Sequence, residues 1–245
     1  MLHHGVSQRR EAGTHWNGWL LASVIYGLFI LDRALLTLPL FCRDGLFLLI
    51  IALILVSVKR VGQGIIALQW PRPRWFPLVG VGLGLGVGLF WIQSYQVVAH
   101  NPSAWLSIQA EGVRLIVADR QVIYPVPIYL AVTVIAAANE ELLFRGLLQG
   151  LFERRLGPLP AFVGQGALFV LAHLLAQDGL PSLAITTTPL AYWSNLLTTS
   201  CALFAGALMM GWLRVRSQSL LPSFLFHSVH NLVVICYGLW FLPPA

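Results

Sequence analysis

Charge is what this chain has least of. Asp, Glu, Lys and Arg make up 10% of its 245 residues, while 58% are hydrophobic. Soluble domains carry about 25% charged residues, and a soluble core of this length could not hide so much apolar surface. Cysteine is scarce too: Cys42, Cys201 and Cys236 lie in or beside apolar runs without paired spacing. They read as small apolar residues and say nothing about redox compartment. No cleavable signal peptide is expected, because the N-terminus is polar to about Trp16 and lacks a small-residue cleavage site. The glycines of residues 80–88 fit no Gly-x-Gly-x-x-Gly register, which leaves nucleotide binding poorly supported. The absence of an internal repeat counts against a transporter built from matching halves.

What is present is a series of long apolar runs, and mean hydropathy reaches +0.77. Only helices and closed barrels satisfy their backbone in lipid. The runs are too long and continuous for barrel strands, which need about 9–11 alternating residues. The expected fold is therefore all-α: a polytopic membrane helical bundle with about seven transmembrane helices.

The spans are expected near Asn17–Phe41, Asp44–Val58, Phe76–Val98, Pro127–Phe152, Pro160–Gln177, Trp193–Leu213 and Ser219–Leu242. Asp32-Arg33, inside the first span, reads as a local ion pair near one interface, and His3-His4 as part of a flexible tail. Gly80, Gly84 and Gly88 recur one turn apart, the small-residue face that lets helices pack closely in lipid. The net charge of +6 does not point to nucleic acid, since the basic residues sit at the ends of apolar runs. With the N-terminus cytoplasmic, inside segments hold ten of them: Arg9, Arg10, Lys59, Arg60, Arg72, Arg74, Arg154, Arg155, Arg214 and Arg216. Outside loops hold only Arg43, Arg114 and Arg120, as the positive-inside rule requires.

Against that background Glu140, Glu141 and Arg145 stand out, three ionisable residues inside an apolar run from Val122 to Phe152. A charge at the bilayer centre costs about 2.5–3.5 kcal/mol on insertion scales. At a rise of about 1.5 Å per residue, Glu140 lies about 20 Å from the end of its span at Glu153. His173 lies about 20 Å in from Pro160, and His227 and Asn231 about 12 and 18 Å in from Ser219, on the same rise. Three helices thus bring polar groups to a similar depth. Glu141 and Arg145, four apart, share a face and can pair, whereas Glu140 is turned about 100° away and need not be neutralised by that arginine. Phe169 and His173 share a face, as do His227 and Asn231. His230 is rotated off that face and reads as structural. A carboxylate, two imidazoles and an amide are what water activation and oxyanion stabilisation require.

These motifs, Glu140-Glu141-xxx-Arg145, Phe169-xxx-His173 and His227-xxx-Asn231, resemble those of the CPBP intramembrane proteases, which include the type II CAAX prenyl proteases and bacteriocin-processing or immunity-related relatives. The resemblance covers about residues 122–242. It implies two parts, an N-terminal tail with three spans over 1–121 and a catalytic membrane core over 122–245 with the site on its four helices. It further implies an endopeptidase acting on a membrane-associated peptide, CAAX-type prenylated peptides being one option. Glu140 would activate water with His173 assisting. His227 and Asn231 would hold the oxyanion, and Glu141 and Arg145 would orient the site. Two histidines and two glutamates could also bind zinc. The lack of a His-Glu-x-x-His helix, and the amide at position 231, favour a metal-independent glutamate-type protease with no cofactor. The competing class is a non-enzymatic membrane scaffold or immunity-type protein that binds peptides.

Overall fold

The computed structural model describes residues 19–30, 67–99, 126–175 and 189–241, and those residues form helices joined by turns. Helix α1 spans Trp19–Ile30 and α2 spans Phe76–Ala99. Helix α3, Val126–Glu140, continues without a break through a π-helical stretch, Glu141–Leu148, into α4, Gln149–Leu156. Helix α5 spans Pro158–Leu175, α6 Pro189–Ser217 and α7 Leu221–Phe241. Three of these are long and apolar enough to cross a membrane, with windows at Phe76–Gln93, Pro158–Leu175 and Leu196–Ser217. The protein is thus an all-α, multi-pass membrane protein. The expected second span, the long polar loop from His100 to Gln121, the Asp32-Arg33 pair, His3-His4 and Cys42 lie outside the described residues.

Local chemistry sets the helix boundaries. Prolines 158 and 189 open α5 and α6, since a first-turn residue needs no backbone N–H. Pro189 starts α6 four residues earlier than the sequence pattern predicts, and the helix runs on past Leu213 through Arg214 and Arg216. Gly157, at φ 83°, ends α4 and lets α5 begin at the next residue. Between α6 and α7 the serines hold the turn. Ser217 Oγ donates to the Leu213 carbonyl at 2.6 Å and accepts from the Ser219 N–H at 3.2 Å. Ser219 Oγ then takes the Leu221 N–H at 3.3 Å, capping α7.

Helices α2 and α7 lie against each other along the expected glycine face. A Cβ on Gly84 would fall 2.6 Å from the Phe226 carbonyl oxygen, one on Gly88 2.9 Å from Val233, and one on Gly80 against the Pro222 carbonyl. At Gly82 and Gly86, which face away, the same atom would meet open space. The contacts advance in the same direction along both chains, so the two helices run parallel. Helix α7 also packs on α3 and α6, and α5 packs between α4 and α6. Helix α1 leans on the π-helical stretch: Tyr26 and Phe29 meet Phe144 edge-on, and the Tyr26 hydroxyl donates to the Leu168 carbonyl at 2.9 Å.

One end of this bundle is basic. Glu153 on α4 and Arg214 on α6 pair at 2.6 Å, which brings the ends carrying Arg154, Arg155, Arg214 and Arg216 together. The segment leading into α2, with Arg72 and Arg74, joins them through a hydrogen bond from the Arg72 N–H to the Ser217 carbonyl at 2.9 Å.

Candidate active site

The site forms where α3, the π-helical stretch, α5 and α7 meet. Glu140 is the last residue of α3 and Glu141 the first of the π-helical stretch. In that stretch hydrogen bonds reach back five residues, as the Gln149 N–H does to the Phe144 carbonyl. Such stretches are rare and frequently mark functional sites. Seven of its eight residues are buried, Glu141 and Arg145 among them.

Glu141 Oε1 accepts two hydrogen bonds, from Arg145 Nη1 at 3.0 Å and from His227 Nδ1 at 3.0 Å. The pairing of Glu141 with Arg145 is as the spacing predicts, and both are almost completely buried. The guanidinium also lies over the Phe169 ring, 4.4 Å from its centroid, a contact that helps a buried cation. Arginine, glutamate and histidine are thus linked in series, and the arginine fixes the carboxylate that fixes the imidazole.

His173 is held by a different device. Its Nδ1 lies 2.8 Å from the Phe169 carbonyl one turn back. A carbonyl only accepts, so Nδ1 carries the hydrogen. The same reasoning places a hydrogen on His227 Nδ1, which faces the Glu141 carboxylate. Both rings therefore turn Nε2 inward, and both meet one atom: Glu140 Oε2 lies 3.6 Å from His173 Nε2 and 3.7 Å from His227 Nε2. The Phe169 ring sits 4.2 Å from the His173 ring, centroid to centroid, and 6.3 Å from that of His227. Glu140 and His227 are buried, whereas the His173 side chain keeps 26% of its surface exposed and forms the open side of the cluster.

The structure therefore brings together Glu140, Glu141, Arg145, His173 and His227. Asn231 is half-buried on α7 one turn beyond His227, and no side-chain hydrogen bond links it to the cluster among the described residues. The ring of His230 lies parallel to that of Phe226. Three features escaped the sequence pattern. The π-helical stretch has no sequence signature. The Phe169 carbonyl partner of His173 follows from their four-residue spacing, which suggested only a ring contact. Asn139 is buried next to Glu140 with neither amide atom hydrogen-bonded among the described residues.

As for zinc, inward-facing Nε2 atoms with Nδ1 held by a carboxylate or carbonyl are the orientation that metal-binding histidines adopt. Yet among the described residues no three His, Cys, Asp or Glu side chains are placed to hold a metal ion.

Compared with known proteins, the chain matches no curated protein and no solved structure. A family model does match it, over residues 122–233, and that match spans every residue of the cluster. Residues 122–233 match the family described as Type II CAAX prenyl endopeptidase Rce1-like, and this match together with the buried Glu/His cluster supports a protease-like enzymatic function.

Proposed function

We propose that this protein hydrolyses a peptide bond of a membrane-associated substrate, with Glu140 as the base that activates water. The observation that carries this reading is the convergence of two imidazole Nε2 atoms on Glu140 Oε2. At 3.6 and 3.7 Å the three groups are slightly too far apart for direct hydrogen bonds, a separation that one water can bridge. Glu140 takes a proton from that water as its oxygen attacks the scissile carbonyl carbon. His173, on the open side, positions the water through Nε2. The carbonyl oxygen becomes an oxyanion facing His227, which donates from Nε2 when that atom carries a proton, and Asn231, whose amide is one turn away. The proton held by Glu140 then passes to the departing amine as the C–N bond breaks. Glu141 and Arg145 act through His227, holding its ring.

In this reading residues 122–245 are the catalytic core, with the site among its four spans, and residues 1–121 add a tail and three spans, giving seven in all. The substrate is a membrane-associated peptide, and the family supports a prenylated CAAX-type C-terminus as the first to try. The test uses the full-length protein in proteoliposomes with a prenylated C-terminal peptide and an unprenylated membrane peptide. Loss of a general base lowers rates about 10²–10⁴-fold, so Glu140→Ala should show a loss of that order with an unchanged thermal unfolding midpoint. Cleavage at the wild-type rate by Glu140→Ala removes the role assigned to it. Activity is expected to survive a zinc chelator, and a loss reversed by added zinc overturns the metal-independent mechanism.

A further inference from the structure

At the basic end of the bundle a cavity of about 340 Å³ is lined by Gln69, Trp70, Pro71, Arg72, Arg74 and Gln218. Two backbone hydrogen bonds build it. Arg72 N–H donates to the Ser217 carbonyl at 2.9 Å, and Leu220 N–H donates to the Ala67 carbonyl at 2.8 Å. These tie the segment before α2 to the α6–α7 turn, whose Gln218 takes a positive φ of 54°. The lining residues include two arginines, two glutamines and a tryptophan, and no Asp or Glu among the described residues. Around it, Leu68, Trp70, Trp75 and Trp212 are exposed. Exposed tryptophans at the end of a membrane helix mark the headgroup level of a bilayer.

The geometry points to a binding site for a phosphate ester in this cavity, separate from the catalytic cluster and independent of the proteolytic reading. Guanidinium forks match phosphate oxygens in two-point contacts. The amides supply further donors, and Trp70 covers an apolar neighbour of the phosphate. The level of the cavity makes a phospholipid headgroup its natural source, with its acyl chains running down beside α2. A soluble phosphate ester offers the same group without the chains.

The test is retention of phosphatidylglycerol by the full-length protein in a nonionic detergent, read by native mass spectrometry. Wild type is expected to retain the lipid. The doubly substituted Arg72→Gln/Arg74→Gln protein should lose at least tenfold in retention. Arg154→Gln/Arg155→Gln, at the same end but outside the lining, should retain it as wild type does. Substitution by lysine at 72 and 74 keeps charge and fold while removing the forks, and should fall between. Displacement by excess glycerol phosphate assigns the site to the phosphate ester alone, and its failure to displace assigns it to the lipid. Equal retention by wild type and the Arg72→Gln/Arg74→Gln protein, equal loss in the Arg154→Gln/Arg155→Gln control, or no retention by wild type overturns the proposal.

Discussion

Glu140 and Glu141 are adjacent in the chain and alike in chemistry, yet their surroundings divide them. Glu141 Oε1 is committed to Arg145 and His227, while Glu140 Oε2 faces two imidazole nitrogens beyond direct hydrogen-bond distance. Removing one member of a buried ion pair leaves the other charge uncompensated, at a cost of about 3–5 kcal/mol. Glu141→Ala and Arg145→Ala should each destabilise the folded protein by about that amount. The double substitution should cost clearly less than the sum, because it leaves neither charge stranded. Unfolding in detergent across the four proteins measures this, and strict additivity would show that the pair is not energetically linked. The spacing of four already announced this pair, and helical rise along three spans announced the similar depth of Glu140, His173 and His227. What spacing could not show is which nitrogen of each ring faces the carboxylate. That depends on the Phe169 carbonyl and on the carboxylate of Glu141, partners set by tertiary packing.

At the scale of elements, α2 and α7 approach each other closely, and that approach depends on three glycines. In lipid, where apolar side chains gain little from leaving the solvent, close packing of small residues is a main source of helix association. Gly84→Ala places a methyl group 2.6 Å from the Phe226 carbonyl oxygen, with backbone rather than a flexible side chain in the way. Overpacking of this kind costs about 1–3 kcal/mol. Gly86→Ala, one half-turn on and facing open space, should be neutral or slightly stabilising, since alanine favours the helix over glycine. Thermal unfolding of the two variants checks the contrast, and equal midpoints would mean that the parallel packing of α2 on α7 is not as tight as described. Because α7 carries His227, loosening at Gly84 should also lower cleavage. The one-turn recurrence of Gly80, Gly84 and Gly88 made this face legible in advance, but not its partner, since any apolar helix can receive a small-residue face. The π-helical stretch at Glu141–Leu148 was not legible at all. Its residues have no propensity that distinguishes five-residue from four-residue hydrogen bonding, and Phe144 and Arg145 within it are completely buried.

For the whole molecule, the feature that organises the rest is the gathering of arginines at one end. Arg72, Arg74, Arg154, Arg155, Arg214 and Arg216 come from three separate stretches of sequence. The Glu153–Arg214 pair and the hydrogen bond from Arg72 to Ser217 bring those stretches to the same level. Trp19, where α1 begins, packs on Phe152 at that level too, with Arg155 over its ring. Arginine and lysine near span ends are retained on the cytoplasmic side, which supports a cytoplasmic basic end and a cytoplasmic N-terminus. A further consequence concerns access: Glu140 is separated from Glu153 at that end by the π-helical stretch and the start of α4, so a substrate entering from the cytoplasmic face must reach into the bilayer. Cysteine labelling tests the orientation. In a background with Cys42, Cys201 and Cys236 replaced by alanine, Leu156→Cys places an exposed thiol at the basic end and Trp193→Cys one near the opposite end of α6. A membrane-impermeant maleimide added to intact cells should label position 193 and reach position 156 only after permeabilisation. The reverse pattern would invert the protein in the membrane, turn the headgroup-level cavity toward the other leaflet, and require substrates to approach from outside.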